Sequence, residues 1–225
     1  MDIIAAREFL LGAYHDLPNV LFLGSLVLGS IFGYLPLVWV AVGLILNGSV
    51  VSIVQGILAF LFTSKDGSGW SQIVVPKGSY ACEILKTDSY AKQANGVTIV
   101  APSHWLSACA FFATFSMYNS ILVAMKESAP GVSQEKTDVR RAFSFSVLII
   151  GFVFFGLILL RGFTGCETWL GSVSGILIGS GLAIGYWHML DACGTGMVPD
   201  VLQVVGSMAP SGSQRDVPIL CSATP

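Results

Sequence analysis

Three side chains of this 225-residue chain combine chemically useful types with positions that can bring them together: His104, Arg161 and Glu167. His104 follows Pro102 and Ser103, where a long polar stretch gives way to an apolar run. Arg161 closes a second apolar run, and Glu167 stands just before a third. An imidazole can move a proton near neutral pH, a guanidinium can hold an anion, and a carboxylate can act as base or ion-pair partner. Ionisable groups at the ends of apolar segments are candidates for function, because charge is costly in lipid. Each also has a plainer reading. His104 beside Trp105 fits a membrane-interface pair, Arg161 a helix-end cation whose head reaches water, and Glu167 a carboxylate near the positive end of a helix.

The elements that must position these groups are set by composition. The chain is 54% hydrophobic and 11% charged, with mean hydropathy +0.76, whereas soluble domains carry about 25% charged residues. With 11 basic and 13 acidic residues, it has no electrostatic footprint for nucleic acid. A bilayer core of about 30 Å needs roughly 20 apolar helical residues, with every backbone polar group bonded internally. Five segments answer to this, near 20–37, 38–62, 105–125, 143–160 and 169–190, the first of them short. The expected fold is therefore an all-α integral membrane protein, with about five transmembrane helices in one bundle. A short interfacial helix over 3–14 precedes it, where Ile3, Ile4, Phe9, Leu10 and Leu11 mix with Asp2, Arg7 and Glu8. The bundle covers 1–190, with polar loops at 63–104 and 126–141, and a Pro/Ser/Gly-rich tail occupies 191–225. The start does not read as a cleaved signal peptide, having Asp2 and Glu8 in place of a basic end. The run GVTIVAP at 96–102 reads as an extended approach to the third helix.

Five crossings place the N-terminus, loop 63–104 and loop 161–168 on one side, so His104, Arg161 and Glu167 share a face. Lysine and arginine divide almost evenly between the two sides and leave orientation open. The density of Lys126, Arg140 and Arg141 leans towards a cytosolic 126–141 loop. Cys82 and Cys166 share one side and Cys193 and Cys221 the other. Either pair can form a disulfide in an oxidising compartment or remain as thiols. No cysteine or histidine spacing suggests zinc, and no cofactor is expected. Gly171, Gly175 and Gly179 recur every four residues, the spacing that lets membrane helices approach closely. Asn47, Ser49 and Ser52, and likewise Ser116 and Asn119, read as interhelical hydrogen-bonding groups. Tyr186, Trp187 and His188 read as an interfacial belt.

Two stretches carry a resemblance. APSHWLSACAFFATF and LLRGFTGCETWLGSVSGILIG resemble the second and third signatures of the type 2 phosphatidic acid phosphatase superfamily, a membrane helical bundle. The resemblance implies a site in which lysine and arginine hold phosphate, one histidine is the acid, and a second histidine is the nucleophile, oriented by aspartate. It places His104 as the acid and Arg161 as a phosphate ligand. Lys65 is what remains of the first signature, with Gln72 where arginine would stand. Glu167 occupies the nucleophile's position and Gly171 the aspartate's, so the resemblance implies a degenerate site.

The segments LPNVLFLGSLVLGSIFG, ETWLGSVSGILIGSGLAIGYWHML and DVLQVVGSMAPSGSQRDVPILC resemble multi-pass proteins of nucleocytoplasmic large DNA viruses, notably those of algae. This second resemblance implies a non-catalytic structural protein of a virion internal membrane, or of a membrane derived from host endoplasmic reticulum. Its partners would be the lipid bilayer and viral capsid or other membrane proteins. The alternative function is a divergent lipid-phosphate phosphatase. A channel or carrier is least favoured, since charges inside the apolar segments are almost absent.

Overall fold

A computed structural model describes residues 12–14, 16–33, 35–62, 92–94, 97–99, 101–125, 134–163 and 167–193. The expected all-α membrane bundle is what the structure has. Its helices are α1 (Leu17–Ile31), α2 (Leu35–Phe62), α3 (His104–Met125), α4 (Gln134–Phe163) and α5 (Trp169–Cys193). Four of them, α2 to α5, are long and apolar enough to cross a membrane. The fifth, α1, is apolar but has only 15 residues, about 22 Å at 1.5 Å per residue. Residues 12–14 are helical; the remainder of the expected interfacial helix lies outside the described residues.

The boundary between the first two helices falls earlier than the hydropathy suggests. Gly33 takes φ +62°, a left-handed conformation that suits glycine at a helix end, while Pro36 occupies the first turn of α2, where its missing N–H is harmless. Gly29 lets the two helices close on each other, since a Cβ there would lie 2.9 Å from the Val38 backbone nitrogen. The fourth helix also differs from expectation. It begins at Gln134, so 134–141 is helical and not loop, because Gln134, Glu135, Lys136 and the two arginines are all good helix formers. The Gln134 side chain donates to Asp138 one turn on. Within the long loop, strand β1 (Lys92–Ala94) pairs antiparallel with β2 (Val97–Ile99), around the Asn-Gly dipeptide that favours tight hairpins. The extended reading of GVTIVAP thus holds at 97–99. Residues 101–104 lead into α3, and 191–193, expected to belong to the tail, close α5; the rest of loop 63–104 and the tail from 194 lie outside the described residues.

The helix α3 is the axis of the bundle and packs against all four others. Its tightest partner is α5. Gly171, Gly175, Gly179 and Ala183 form one buried stripe along α5, and α3 lies in it. A Cβ on Gly175 would come within 2.9 Å of the Ser103 carbonyl oxygen, and one on Gly179 would collide with that of Ser107. At one end of the bundle Val40, Leu44, Phe111, Phe115, Tyr186, Trp187 and Leu190 form an apolar cluster. At the other, Trp105, Leu106, Cys109, Ala113 and Ile158 form a second. The outer face of α4 turns Phe145, Ile149, Ile150, Phe152 and Val153 outward, as a lipid-facing helix does.

Replacing Gly179 with Leu is expected to destabilise the bundle by about 1–3 kcal/mol, the usual range for overpacking. Gly181→Ala is the control: it has open space around its Cβ and is expected to be neutral or slightly stabilising. Unfolding of detergent-solubilised protein by titrated SDS measures both, and equal loss from the two changes would refute this packing.

Candidate functional site

The segments bearing His104, Arg161 and Glu167 do emerge together at one end of the bundle, and local caps set the first and the last of them there. Ser103 is the N-cap of α3: its Oγ accepts from Leu106 N–H at 3.2 Å. Its own backbone N–H donates to the Gly171 carbonyl at 3.1 Å, which ties the start of α3 to the first turn of α5. Thr168 caps α5 in the same way, accepting from Gly171 N–H at 2.9 Å. Ser103 and Thr168, the neighbours of His104 and Glu167 in the chain, therefore serve as helix caps.

Arg161 and Glu167 form an ion pair. Arg161 Nε donates to Glu167 Oε1 at 3.1 Å, with side-chain exposures of 0% and 1%. The guanidinium carbon also lies 4.6 Å from the centroid of the Trp105 ring, close enough for a cation–π contact that strengthens when desolvated. Trp105 is held in turn by the chain preceding α1. Its indole N–H donates to the Tyr14 carbonyl at 3.2 Å, and the Tyr14 ring packs 4.9 Å away. The Tyr14 hydroxyl donates to the Leu157 carbonyl of α4, one turn before Arg161. A closed circuit thus joins α3, α4, the start of α5 and the segment before α1.

His104 belongs to a second network. The Gln55 amide donates from Nε2 to the Pro102 carbonyl at 2.8 Å, which turns its oxygen towards His104 Nε2, 3.1 Å away. A carbonyl oxygen can only accept, so Nε2 carries the proton in this arrangement. Ser52 Oγ is 3.4 Å from the same nitrogen. Two helical turns back along α2 and nearly one turn on along α3, Ser107 donates to Asn47 Oδ1 at 2.9 Å. The numbers fall along α2 as they rise along α3, the order two antiparallel helices must show. Gln55 is 1% exposed and Asn47 is also buried; Gln55 was not anticipated, though an amide in an otherwise apolar segment is itself a signal.

The other expected groups divide. Asn119 accepts from the Trp187 indole across α3 and α5, an interhelical bond as anticipated. Ser49 instead donates to Ile45 within its own helix. The expected belt splits. Tyr186 is buried and donates to the Trp39 carbonyl, whereas His188 is exposed and 2.9 Å from the Tyr118 hydroxyl. Cys109 is buried and Cys193 is an exposed free thiol; Lys65, Cys82, Cys166 and Cys221 lie outside the described residues. No cluster of three or more metal-ligating side chains occurs among the described residues.

Beside His104 lies a cleft of about 620 Å³ between α1, α2 and α3. Four apolar membrane-spanning helices, capped at one end by a buried ion pair and a buried amide–imidazole network, define a multi-pass α-helical integral membrane protein. No protein-family model, characterised protein or solved structure matches the chain.

The ion pair is expected to behave as one unit. Arg161→Ala or Glu167→Ala alone should destabilise by about 3–5 kcal/mol, because each strands a buried charge. The double variant Arg161→Met, Glu167→Leu should lose much less than the sum of the two. A double-mutant cycle on SDS unfolding measures this, and additive losses would show that the two groups do not act together.

Proposed function

We propose that this chain is a non-catalytic membrane protein in which a phosphatase-like arrangement of helix ends has been turned to structural use. The observation that supports it best is the Arg161–Glu167 pair. Phosphoryl transfer through a histidine needs a nucleophile and cations left open to phosphate. At the nucleophile's position stands a carboxylate, which repels phosphate. That carboxylate also engages the guanidinium that would have received the substrate. Breaking so buried a pair costs several kcal/mol before any phosphate contact is made. His104, in the acid's position, directs its Nε2 proton to Gln55, a neutral amide already fixed by Pro102.

The setting that accords with the viral resemblance is a lipid membrane of a large DNA virus particle or its precursor. There the spans would anchor the protein, and the polar segments would meet capsid or other membrane proteins. The divergent lipid-phosphate phosphatase, using Lys65, His104 and Arg161, is the reading the test must be able to return.

Purified, detergent-solubilised protein is expected to release no phosphate from phosphatidic acid or isoprenyl diphosphates above a no-protein control. Release that His104→Ala and Arg161→Ala both abolish, with the variants still folded by circular dichroism, would overturn the non-catalytic reading. Recovery of the protein in the membrane fraction of purified virus particles tests the setting, and its confinement to host membranes would argue against a virion role.

A further inference from the structure

The cleft between α1, α2 and α3 is graded in polarity. The polar lining residues, Asp16, Asn19, Ser49, Ser52 and His104, gather towards one end, where Pro18, Ile53 and Trp105 also stand; the other end, with Phe22, Leu44 and Ile45, is wholly apolar. From Ser52 back to Leu44 is eight residues of α2, about 12 Å along the helix axis. The polar end lies at the His104 face of the bundle, where α1 and α3 begin, while α2 runs on past it to Phe62. The apolar end runs towards the middle of the spans. A molecule seated here would keep its polar group at the membrane surface and its apolar body alongside the helices, which is the posture of a lipid chain. The volume, about 620 Å³, falls within the range of ligand sites.

The charge of the polar end selects the headgroup. Among the described lining residues Asp16 is the only formally charged one. Its carboxylate is not used to cap α1, where it forms no side-chain cap bond. Ser49 gives its hydroxyl proton to the Ile45 carbonyl, so towards the cleft it offers an acceptor oxygen. A carboxylate and an acceptor hydroxyl repel an anionic head and attract a donor-rich, positively charged one. The geometry points to a binding site for a single-chain lipid with a cationic amine headgroup, its ammonium against Asp16 and its chain along Phe22 and Leu44. The site shares His104 with the phosphatase reading but recognises the charge opposite to phosphate, so amine uptake and phosphate release test the two separately.

Gly48 supplies the test. It lines the cleft, and a Cβ on it meets no heavy atom within 4 Å, so a side chain can start there without a clash at Cβ and extend into the cleft. Full-length protein in a neutral detergent is titrated with oleylamine, oleyl alcohol and oleic acid, which share one chain and differ in head charge. Adducts are counted by native mass spectrometry. The wild type is expected to take up oleylamine most readily and oleic acid least. Asp16→Asn should reduce oleylamine uptake by roughly two- to fivefold, as expected of an exposed charge pair, and leave oleyl alcohol unchanged. Gly48→Leu should abolish uptake of both while leaving the unfolding midpoint intact. Preferential binding of oleic acid, or oleylamine binding indifferent to both substitutions, would overturn the proposal.

Discussion

The contact between α3 and α5 is the constraint on which the remainder of the molecule depends. In lipid, burying one apolar helix face against another gains little over burying it in acyl chains, so association must come from closeness and from polar bonds. The glycine stripe of α5 supplies the closeness, bringing its backbone against the Ser103 and Ser107 carbonyls. At that distance the Ser103 N–H can reach the Gly171 carbonyl, and the first turns of both helices become one unit. Trp105, two residues further along α3, is then presented at a fixed height, and Arg161 finds both an aromatic face and a carboxylate partner. Widen the α3–α5 gap by one methyl group and this chain of placements loses its origin.

The polar groups inside the bundle do a different task from the glycines. Interhelical hydrogen bonds in membranes average well under 1–2 kcal/mol each, so the Asn47–Ser107 and Gln55–Pro102 bonds add modest stability. Their larger effect is on register. A buried amide with no partner costs several kcal/mol, and sliding α2 past α3 by one turn would part Asn47 from Ser107 and Gln55 from both Pro102 and His104. The apolar surfaces of α2 and α3 would tolerate that slide; the amides do not.

What the sequence displayed and what it concealed divide along the same line. The spanning helices were legible because lipid demands a long apolar run and few other signals compete with it. The glycine spacing of α5 was legible because a four-residue repeat of small residues has one geometric meaning on a helix. The shared face of His104, Arg161 and Glu167 followed from counting crossings. The pairing itself was not legible, since topology brings residues to a face but does not say which touch. His104 turned towards Gln55 and Ser52, and Arg161 towards Trp105 and Glu167, a partition set by side-chain reach. The early start of α4 was hidden by its charge: 134–141 is polar enough to read as a loop, yet Thr137 and Arg140 are buried there. Tyr14 was hidden for the opposite reason, being one aromatic residue among many in an apolar stretch.

One helix remains out of scale with its neighbours. At 15 residues, α1 reaches about 22 Å, while the hydrocarbon around it is about 30 Å thick. The bilayer is the softer partner in such a mismatch, and it yields by thinning locally or by drawing headgroups inward along the short side. The penalty is a fraction of a kcal/mol for each ångström, and it vanishes where the membrane is already thin. That adjustment is confined to the flank where α1 lies, since α2 to α5 are each long enough to cross the full hydrocarbon.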